Sequence, residues 1–499
     1  MFQFNTEGSV ALDISMKQNL ENRMTDSKFI VAEIHRFRAS KRYKDMLDGC
    51  RYYEGNQDIL RKKRTSIGEG GKLITVDNLP NNRIVDNQYQ KMVDQKSNYL
   101  LGQPFVISCE NEAFVDALRP YLLTKKFFRL LKAVAKDSLN CGIGWIYPHY
   151  DERGELILTR IKPFELIPEW ADAEHTKLDA AIRVYEVLAY EGTEEKVKTK
   201  VEVYDPNGIF YFELAANGNL IPEDPFYQPY FTVIDDEGNS EAYNWDTIPL
   251  VAFRYNAEEI PLITRCKSMQ DSLNRIESMW EDQMEEDPRN TIMVLVNYDG
   301  QNLGEFRQNL ATYGAVKVRS GEGGSGDVKT LQIQVNAENY KAIIAQFKKA
   351  IIENCMGYDA KDDRLGSNAN EMNLKSMYSD IELDTNGMDT EYQAAFEELI
   401  WFLTCHLSNI RAGDYDSEEF NIEFNRNIMM NCSEAINNCK NSVGLISDET
   451  ILANHPWVDD PFAEMEKVKK QKEEESDLYG DFGHQEPPDP DDPDDPKKE

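Results

Sequence analysis

The feature that most constrains this sequence is a pair of amphipathic helical patterns that bracket a short, strand-rich insert. The patterns cover residues 265–286 and 337–356, and apolar residues recur in both at intervals of three and four. That spacing keeps one face of each helix largely apolar. The first stripe consists of Cys266, Met269, Leu273, Ile276, Trp280 and Gln283, and the second of Tyr340, Ile343, Ile344, Phe347, Ile351 and Cys355. We therefore predict a hairpin of two helices.

The insert between the two helices is predicted to form a small βαββ lobe. Residues 291–296, 315–318 and 328–335 have the composition of strands, and residues 303–310 that of a helical turn or two. A helical hairpin with a compact lobe at its far end suits docking to another molecule. It is an unusual way to build an enzyme cleft.

A third and much longer helix is predicted over residues 370–410, with a break near Asn386 and Gly387. Forty helical residues span roughly 60 Å, which exceeds the width of a compact domain. After a predicted strand at 420–424, further helices are expected at 432–443, 447–454 and 461–475.

The first half of the sequence combines helical and strand patterns, with turns between the strands. Helices are predicted at 27–37, 40–53, 82–101 and 127–140, and strands at 145–150, 156–161, 181–189, 199–204, 209–214 and 250–254. The predicted fold class is therefore α+β.

The chain is strongly acidic, with a formal net charge of −34. Residues 473–499 carry 12 acids and 2 lysines in a proline-rich tail of disordered composition, which leaves −24 for the rest. Non-specific DNA binding relies on Lys and Arg side chains that displace counterions. The composition therefore argues against a DNA-binding module, but it suits a surface past which DNA slides without sticking.

Neither a membrane span nor a secretory signal is predicted, because no apolar stretch reaches eighteen residues and the N-terminus lacks a basic region followed by a long apolar core. The eight cysteines form no CxxC pair, and Cys266, Cys355 and Cys405 lie on apolar helix faces. We predict reduced core residues rather than disulfides, and hence synthesis in a cytoplasm.

Catalytic and cofactor-binding motifs give only near matches. Residues 321–326 fit GxGxxG, but a predicted strand follows where a dinucleotide site needs a helix, so a hairpin loop is expected. The acids within 359–363 could hold Mg²⁺ in a nuclease, but Lys361 and Arg364 beside them favour a solvated loop. The histidines lack ligand spacing. We predict no cofactor, no metal site and no enzymatic activity.

Five stretches of the sequence, in this order and spacing, resemble a known family. They are RYYEGNQDILRKKR (51–64), NNRIVDNQYQKMVDQKSNYLLGQP (81–104), IPLVAFRYN (248–256), VLVNYDG (294–300) and ISDETILANHPWVDDPFAEMEK (446–467). The chain resembles the portal proteins of tailed double-stranded-DNA bacteriophages, specifically the type from long-tailed siphophages of Gram-positive bacteria. The resemblance extends from about residue 27 to residue 475.

This resemblance implies a ring, twelve-fold in the virion, at one capsid vertex, through which DNA is packaged and ejected. The implied segments are a flexible N-terminus (1–26), an α+β wing (27–264), two stem helices (265–286 and 336–357), a clip (287–335), a tunnel loop (358–370), a long kinked wing helix (371–417), a helical crown (418–472) and a disordered acidic tail (473–499).

The resemblance also implies partners and a location. The partners are further copies of the chain (twelve, or thirteen when isolated), the terminase packaging ATPase, a head-completion or adaptor protein, the scaffold and the major capsid protein. Viral double-stranded DNA would pass through without specific binding, and no membrane is involved. The ring would assemble in the host bacterial cytoplasm and reside at the portal vertex of the virion.

Three sets of candidate functional residues follow from the implied ring. The DNA-facing tunnel-loop residues are Lys361, Asp362, Asp363 and Arg364. The candidate channel-lining stem acids, which would repel phosphate, are Asp271, Glu281, Asp282, Glu285 and Glu286. The residues expected to pack one subunit against the next are Met269, Leu273, Ile276, Trp280, Phe347 and Ile351.

Two other classes of protein stay open at this stage. One is a monomeric adaptor or scaffold that docks through its middle lobe, and the other is a metal-dependent nuclease or phosphatase that uses the acids from Asp359 to Asp363. The mass of the purified protein separates them, because a 57.5 kDa species favours these alternatives and twelve or thirteen copies favour the portal.

Overall fold

The computed structural model describes residues 26–67, 72–76, 79–234, 240–286, 292–296, 320–321, 324–325, 327–331, 337–359, 371–426, 432–453, 455, 457–458, 464–465 and 467–471. These residues form an α+β fold, as predicted. The chain divides into a large compact unit of Met1–Asp362 and Met377–Asn427, and a smaller one of Asp363–Ser376 and Ile428–Glu499.

The helices follow the predicted apolar periodicity, and several begin at side-chain caps. They are α1 (Ser27–Ala39), α2 (Lys41–Tyr53), α3 (Gln88–Leu101), α4 (Glu112–Leu122), α5 (Lys125–Cys141), α6 (Ile263–Glu286), α7 (Ala337–Asn354), α8 (Glu371–Asn409), α9 (Cys432–Ser442) and α10 (Asp448–Ala453). Asp26 accepts a hydrogen bond from the Lys28 amide at 2.9 Å, and Ser40 from the Tyr43 amide at 3.1 Å. Each cap satisfies an amide that the first helical turn leaves without a partner.

The strands form small antiparallel sheets. They are β1 (Thr65–Ile67), β2 (Leu73–Thr75), β3 (Val106–Cys109), β4 (Ile143–Tyr150), β5 (Leu156–Ile161), β6 (Leu166–Trp170), β7 (Leu178–Glu191), β8 (Glu194–Asp205), β9 (Gly208–Leu214), β10 (Leu220–Gln228), β11 (Phe231–Ile234), β12 (Ser240–Tyr243), β13 (Val251–Arg254), β14 (Ile292–Val296), β15 (Ser320–Gly321), β16 (Gly324–Ser325), β17 (Asp327–Leu331) and β18 (Phe420–Glu423). The largest sheet has the order β10-β9-β8-β7-β6, and another has the order β13-β4-β5.

Helix α1 covers one face of the five-stranded sheet. Ile182 on β7 lies opposite Val203 on β8, and alternation along the strands places Val201 on the same face. Ile30 and Ile34 of α1 are buried against these residues in a core of their own.

The main core of the large unit lies between the three-stranded sheet and helices α5 and α8. Leu139 of α5, Trp145 of β4 and Phe253 of β13 are fully buried there. Two aromatic residues of α8 complete it, because the Phe253 ring lies 5.1 Å from Tyr392 and 5.7 Å from Phe396 between ring centroids.

Strand β18 returns the chain to the large unit. It pairs antiparallel with β3, and Ile422 lies opposite Ile107. The predicted boundary of the crown at residue 418 is therefore wrong, because the backbone hydrogen bonds of residues 420–423 tie them to a strand of the first half. Neither β3 nor α4 was predicted.

Helix α8 runs for 39 residues without a break. The break predicted at Asn386 and Gly387 is wrong. A glycine inside a helix costs about 1 kcal/mol relative to alanine, whereas burying one large apolar side chain contributes about 1.5–3 kcal/mol. Ile381 and Tyr392, on either side of Gly387, are both fully buried, and their packing outweighs the glycine.

The lobe between α6 and α7 is described only in part. Strand β14 pairs antiparallel with β17, as the predictions for 291–296 and 328–335 required, and β15 pairs with β16 in the hairpin expected at the GxGxxG match. The predicted strand at 315–318 and the helical turn at 303–310 lie outside the described residues, as do the N-terminal residues 1–25 and the tail 473–499.

The smaller unit contains α9 and α10, close to the predicted positions, and residues 464–465 and 467–471 are helical within the predicted charged helix. In the part of the chain that the structure describes, every helix is too short or too polar to cross a bilayer.

Candidate functional site

Helices α6 and α7 pack against each other as the predicted hairpin. The Trp280 ring stacks on Tyr340, with centroids 6.1 Å apart and planes 9° apart, and the Tyr340 hydroxyl donates to Gln283 at 3.0 Å. Towards the other end of the pair, Cys266 and Cys355 are buried free thiols, as predicted.

Much of the apolar stripe is already covered within the subunit. Leu273 and Ile351 are fully buried in the main core, and Met269 and Phe347 are partly buried against it. The prediction that this stripe packs one subunit against the next is therefore wrong for Leu273 and Ile351. Helices α6 and α7 pack against helices of the first half of the same chain, which the sequence pattern does not reveal. Ile276 and Trp280 are partly exposed, and their role in subunit packing stays a prediction.

A second stripe on α6 is polar, and it too is buried. Its members are Gln270, Asn274, Ser278 and Asp282, which recur every four residues and have no exposed surface. Asn274, Ser278 and Asp282 each accept a hydrogen bond from a backbone amide of the segment before α3, and Gln270 accepts one from Tyr89 in the first turn of α3. The Tyr89 amide donates to Gln270 at 3.1 Å and the Asp86 amide to Asn274 at 3.1 Å. The Ile84 amide donates to Ser278 at 2.9 Å and the Asn82 amide to Asp282 at 2.6 Å.

We call residues 82–87 the strap. Two residues of extended chain advance about 6.6 Å, and four residues of helix advance about 6.0 Å, so alternate strap amides meet every fourth side chain of α6. This match explains why the helix predicted from residue 82 begins only at Gln88. The regular spacing of the polar stripe is visible in the sequence, but its burial is not, because polar residues on a helix usually face water.

Two candidate channel acids are paired inside the subunit: Asp282, which belongs to the stripe, and Asp271, which lies beside it. Asp282 lies 2.6 Å from Lys62 and 3.4 Å from Arg64, and its side chain is 1% exposed. The prediction that Asp282 lines a channel is therefore wrong, because its charge is paired inside the subunit. Asp271 accepts hydrogen bonds from the Tyr52 hydroxyl and from Lys267 at 3.0 Å, so an internal cation neutralises it as well.

Two candidate acids remain available on the surface. Glu281 and Glu285 are exposed near the end of α6. The side chain of Glu286 lies outside the described residues. Among the described residues, neither Glu281 nor Glu285 has the internal pairing seen for Asp282, and the role of all three glutamates in a channel stays a prediction.

An ion pair joins helix α7 to the strap. Lys348 lies 2.5 Å from Asp86 and 3.4 Å from Glu277. Burial, together with the nearby Asp86 carboxylate, raises the pKa of Glu277. One lysine thus joins α7 to the strap and to α6.

Of the predicted tunnel loop, only the beginning is described. The Tyr358 amide donates to Gln95 Oε1 at 3.1 Å, and Gln95 Nε2 donates to the Tyr358 carbonyl at 2.8 Å. Lys361, Asp362, Asp363 and Arg364 lie outside the described residues. Among the residues that are described, three or more metal-ligating side chains nowhere come together.

Comparisons with known proteins give relatives of one kind. The portal protein of Bacillus phage SPP1 is 26% identical over 444 residues, which cover 87% of this chain and 85% of the relative. The portal protein of Clostridium phage phiCD119 is 28% identical over 459 residues, which cover 88% and 96%.

Solved structures give weaker likenesses. A chain from the virion of a native gene transfer agent particle matches with a TM-score of 0.38 and 13% identity, over 74% of this chain and 90% of that one. A chain from the neck of the native particle, computed with C12 symmetry, matches with a TM-score of 0.37 and 13% identity, over 73% and 88%. TM-scores below 0.5 do not establish a shared fold.

A protein-family model assigns the chain to a class of protein. The model described as "Phage portal protein, SPP1 Gp6-like" matches residues 38–478. The chain therefore belongs to this family of phage portal proteins, and the resemblance inferred from its sequence is confirmed.

Proposed function

We propose that the chain forms a closed ring, twelve-fold in the virion, at one vertex of the capsid, and that the ring is the channel for DNA packaging and ejection. The observation that carries this proposal is the family match over residues 38–478. The ring assembles in the host bacterial cytoplasm and stays in the virion. Residues 27–264 form the wing, α6 and α7 the stem, residues 287–335 the clip, and the smaller unit contributes the crown.

The contacts between subunits use apolar residues of the stem that the subunit itself leaves exposed. Met279 and Met284 on α6 are 40% and 56% exposed, and Ile343 on α7 is 41% exposed. A neighbouring subunit that covered them would remove apolar surface from water, which favours association. These three residues replace Leu273 and Ile351 as the subunit-packing residues of the stem.

The charge of the channel comes from Glu281 and Glu285. Both are exposed, and a ring repeats each of them twelve times around its axis. Repeated carboxylates repel phosphate over about 8–10 Å at physiological salt, which keeps DNA from anchoring to the wall. The overall charge of −34 acts in the same direction.

The partners divide between the two ends of the ring. The clip meets the terminase packaging ATPase during filling and a head-completion or adaptor protein afterwards, and the scaffold and the major capsid protein surround the wing. The chain itself catalyses no reaction, so the energy for packaging comes from the separate ATPase. Purified protein should hydrolyse neither ATP nor DNA with Mg²⁺, and turnover that Asp362→Ala abolishes would contradict this.

The tunnel loop, residues 358–370, is the part of the channel that touches DNA. Lys361 and Arg364 make brief phosphate contacts, and Asp362 and Asp363 keep these contacts weak. Deleting residues 359–367 should leave rings and proheads intact but block DNA filling or retention. The experiment counts full and empty heads in cells that make only the deleted form. Filled heads at the normal ratio would show that the segment only connects the helices on either side of it.

A further inference from the structure

Asp384, in the middle of α8, joins three other elements of the large unit. Its carboxylate lies 2.6 Å from Lys96 of α3 and 2.7 Å from Arg265 of α6, and it accepts a hydrogen bond from the Tyr255 hydroxyl at 2.6 Å. The Lys96 side chain has no exposed surface and that of Asp384 is 6% exposed. A buried ion pair of this kind holds its elements in one arrangement, because separating the charges in a low-dielectric interior is costly.

Lys96 makes a second contact at the start of the tunnel loop. Its ammonium donates to the Met356 carbonyl at 3.0 Å, just beyond the end of α7. The neighbouring Gln95 makes the two hydrogen bonds to the Tyr358 backbone described above. Between these contacts, Gly357 lies so close to α3 that a Cβ atom would meet Met92 Sδ at 2.6 Å.

Beyond the loop, helix α8 contacts α3 as well. Tyr378 on α8 is 2% exposed, and its ring lies 4.7 Å from the Tyr358 ring and 6.0 Å from the Tyr99 ring. The side chains of α3 that make these contacts are therefore Met92, Gln95, Lys96 and Tyr99. Their spacing of three, one and three places them on one face of the helix.

We propose that Gln95, Lys96 and Tyr99 form a mount for the tunnel loop: they hold Tyr358 before the loop and Tyr378 after it, and Asp384 links the mount to the stem helix α6. These are positioning residues, and they act on DNA only through the loop. The inference rests on the proposed function, since the loop has a role only in a DNA channel. It adds a connection between stem and loop that runs through α3.

Substituting Gln95 distinguishes a role in positioning the loop from a role in the general stability of the fold. Gln95 is half-buried on α3, and both ends of its amide bond the Tyr358 backbone. Gln95→Ala therefore releases the start of the loop while the main core stays packed. Asn98→Ala is the matched control, because Asn98 is an exposed residue of the same helix. Lys96→Met provides a second variant, which keeps the length of the side chain and removes the charge.

The test combines three measurements on full-length protein: native mass spectrometry of the rings, amide hydrogen exchange, and the fraction of DNA-filled heads in cells. For Gln95→Ala we expect rings of unchanged mass, an exchange rate of the Tyr358 amide that is higher by about tenfold or more, and fewer filled heads. Asn98→Ala should match the wild type in all three. Lys96→Met should change exchange at both Tyr358 and Tyr378.

Two results would contradict the proposal that these residues hold the loop. Unchanged exchange at Tyr358 in Gln95→Ala would show that the hydrogen bonds do not hold the loop. Increased exchange with a normal fraction of filled heads would show that the position of the loop does not matter for DNA. Failure of the wild type itself to form rings or fill heads would instead refute the proposed function, and the exchange data alone would then decide whether the mount exists.

Discussion

At the scale of single residues, the charges that matter most for folding lie inside the subunit. Asp282 is the main example, because it accepts from the Asn82 amide and pairs with Lys62 and Arg64. Its neighbour Glu281 is exposed. Two adjacent acids of one helix thus have different roles, and their sequence positions alone do not distinguish them.

Replacing Asp282 should therefore be far more harmful than replacing Glu281. Asp282→Ala leaves a buried amide and a lysine without their acceptor, which should lower the free energy of unfolding by about 3 kcal/mol. Glu281→Ala should change it by less than about 0.5 kcal/mol. Urea unfolding at one protein concentration measures both values. Equal effects of the two substitutions would mean that Asp282 is not paired as described.

Glu398 on α8 should make stability depend on pH. Burial raises the pKa of this carboxyl to about 7, although the Arg254 guanidinium opposes the shift. The folded state therefore holds the proton more tightly than the unfolded state, whose pKa is near 4.5. The stability that this group contributes is present below pH 4.5 and is lost as the pH rises through 7.

The corresponding substitution is Glu398→Gln, which mimics the protonated form. It should raise the free energy of unfolding by roughly 2–3 kcal/mol at pH 8 and by little at pH 4.5. Thermal unfolding at a series of pH values measures the difference. Glu397→Gln, at an exposed position of the same helix, should show no such trend, and a flat profile for Glu398→Gln would contradict the shift.

At the scale of elements, apolar periodicity predicted the helices well, but it did not predict their surroundings. The patterns at 265–286 and 337–356 correspond to α6 and α7. The strap was missed because residues 82–87 carry no strand or turn signal, and its contacts depend on side chains almost 200 positions away. The DNA-facing role of Lys361–Arg364 stays a prediction, because these residues lie outside the described part of the chain.

The hydrogen bonds between strap and helix can be tested with two serines of α6. Ser278 donates to the Asn274 carbonyl at 2.7 Å and accepts from the Ile84 amide at 2.9 Å. Ser272 makes the same kind of helix bond to Ser268 at 2.8 Å, but on another face. Ser278→Ala should cost about 1–2 kcal/mol and accelerate exchange of the Ile84 amide. Ser272→Ala should do neither; equal exchange in both variants would contradict the strap.

Helix α8 offers a test of its continuity. A Cβ atom added at Gly387 would meet no neighbour within 4 Å, and the backbone there is helical. Gly387→Ala should therefore stabilise the protein by about 0.5–1 kcal/mol, because alanine loses less conformational freedom in a helix. Thermal unfolding measures this gain. A loss of stability would indicate that the chain breaks at this position after all.

At the scale of the whole molecule, the subunit buries its own core but leaves apolar side chains of α6 and α7 exposed. The strap and the main core hold α6 within one chain, so we expect this helix to fold without a neighbouring subunit. The surface that we propose a neighbour covers is the exposed apolar surface at Met279, Met284 and Ile343. Identical subunits that meet through two different surfaces close into a ring when the rotation between them divides a full turn.

The mass of the purified protein under native conditions tests this central claim most directly. Native mass spectrometry at micromolar concentration, without DNA or nucleotide, should give one species of twelve or thirteen copies of the 57.5 kDa chain. The double substitution Met279→Asp and Met284→Asp should shift this species towards smaller assemblies while each subunit stays folded. A wild-type protein that is monomeric at that concentration would contradict the ring, and with it the channel.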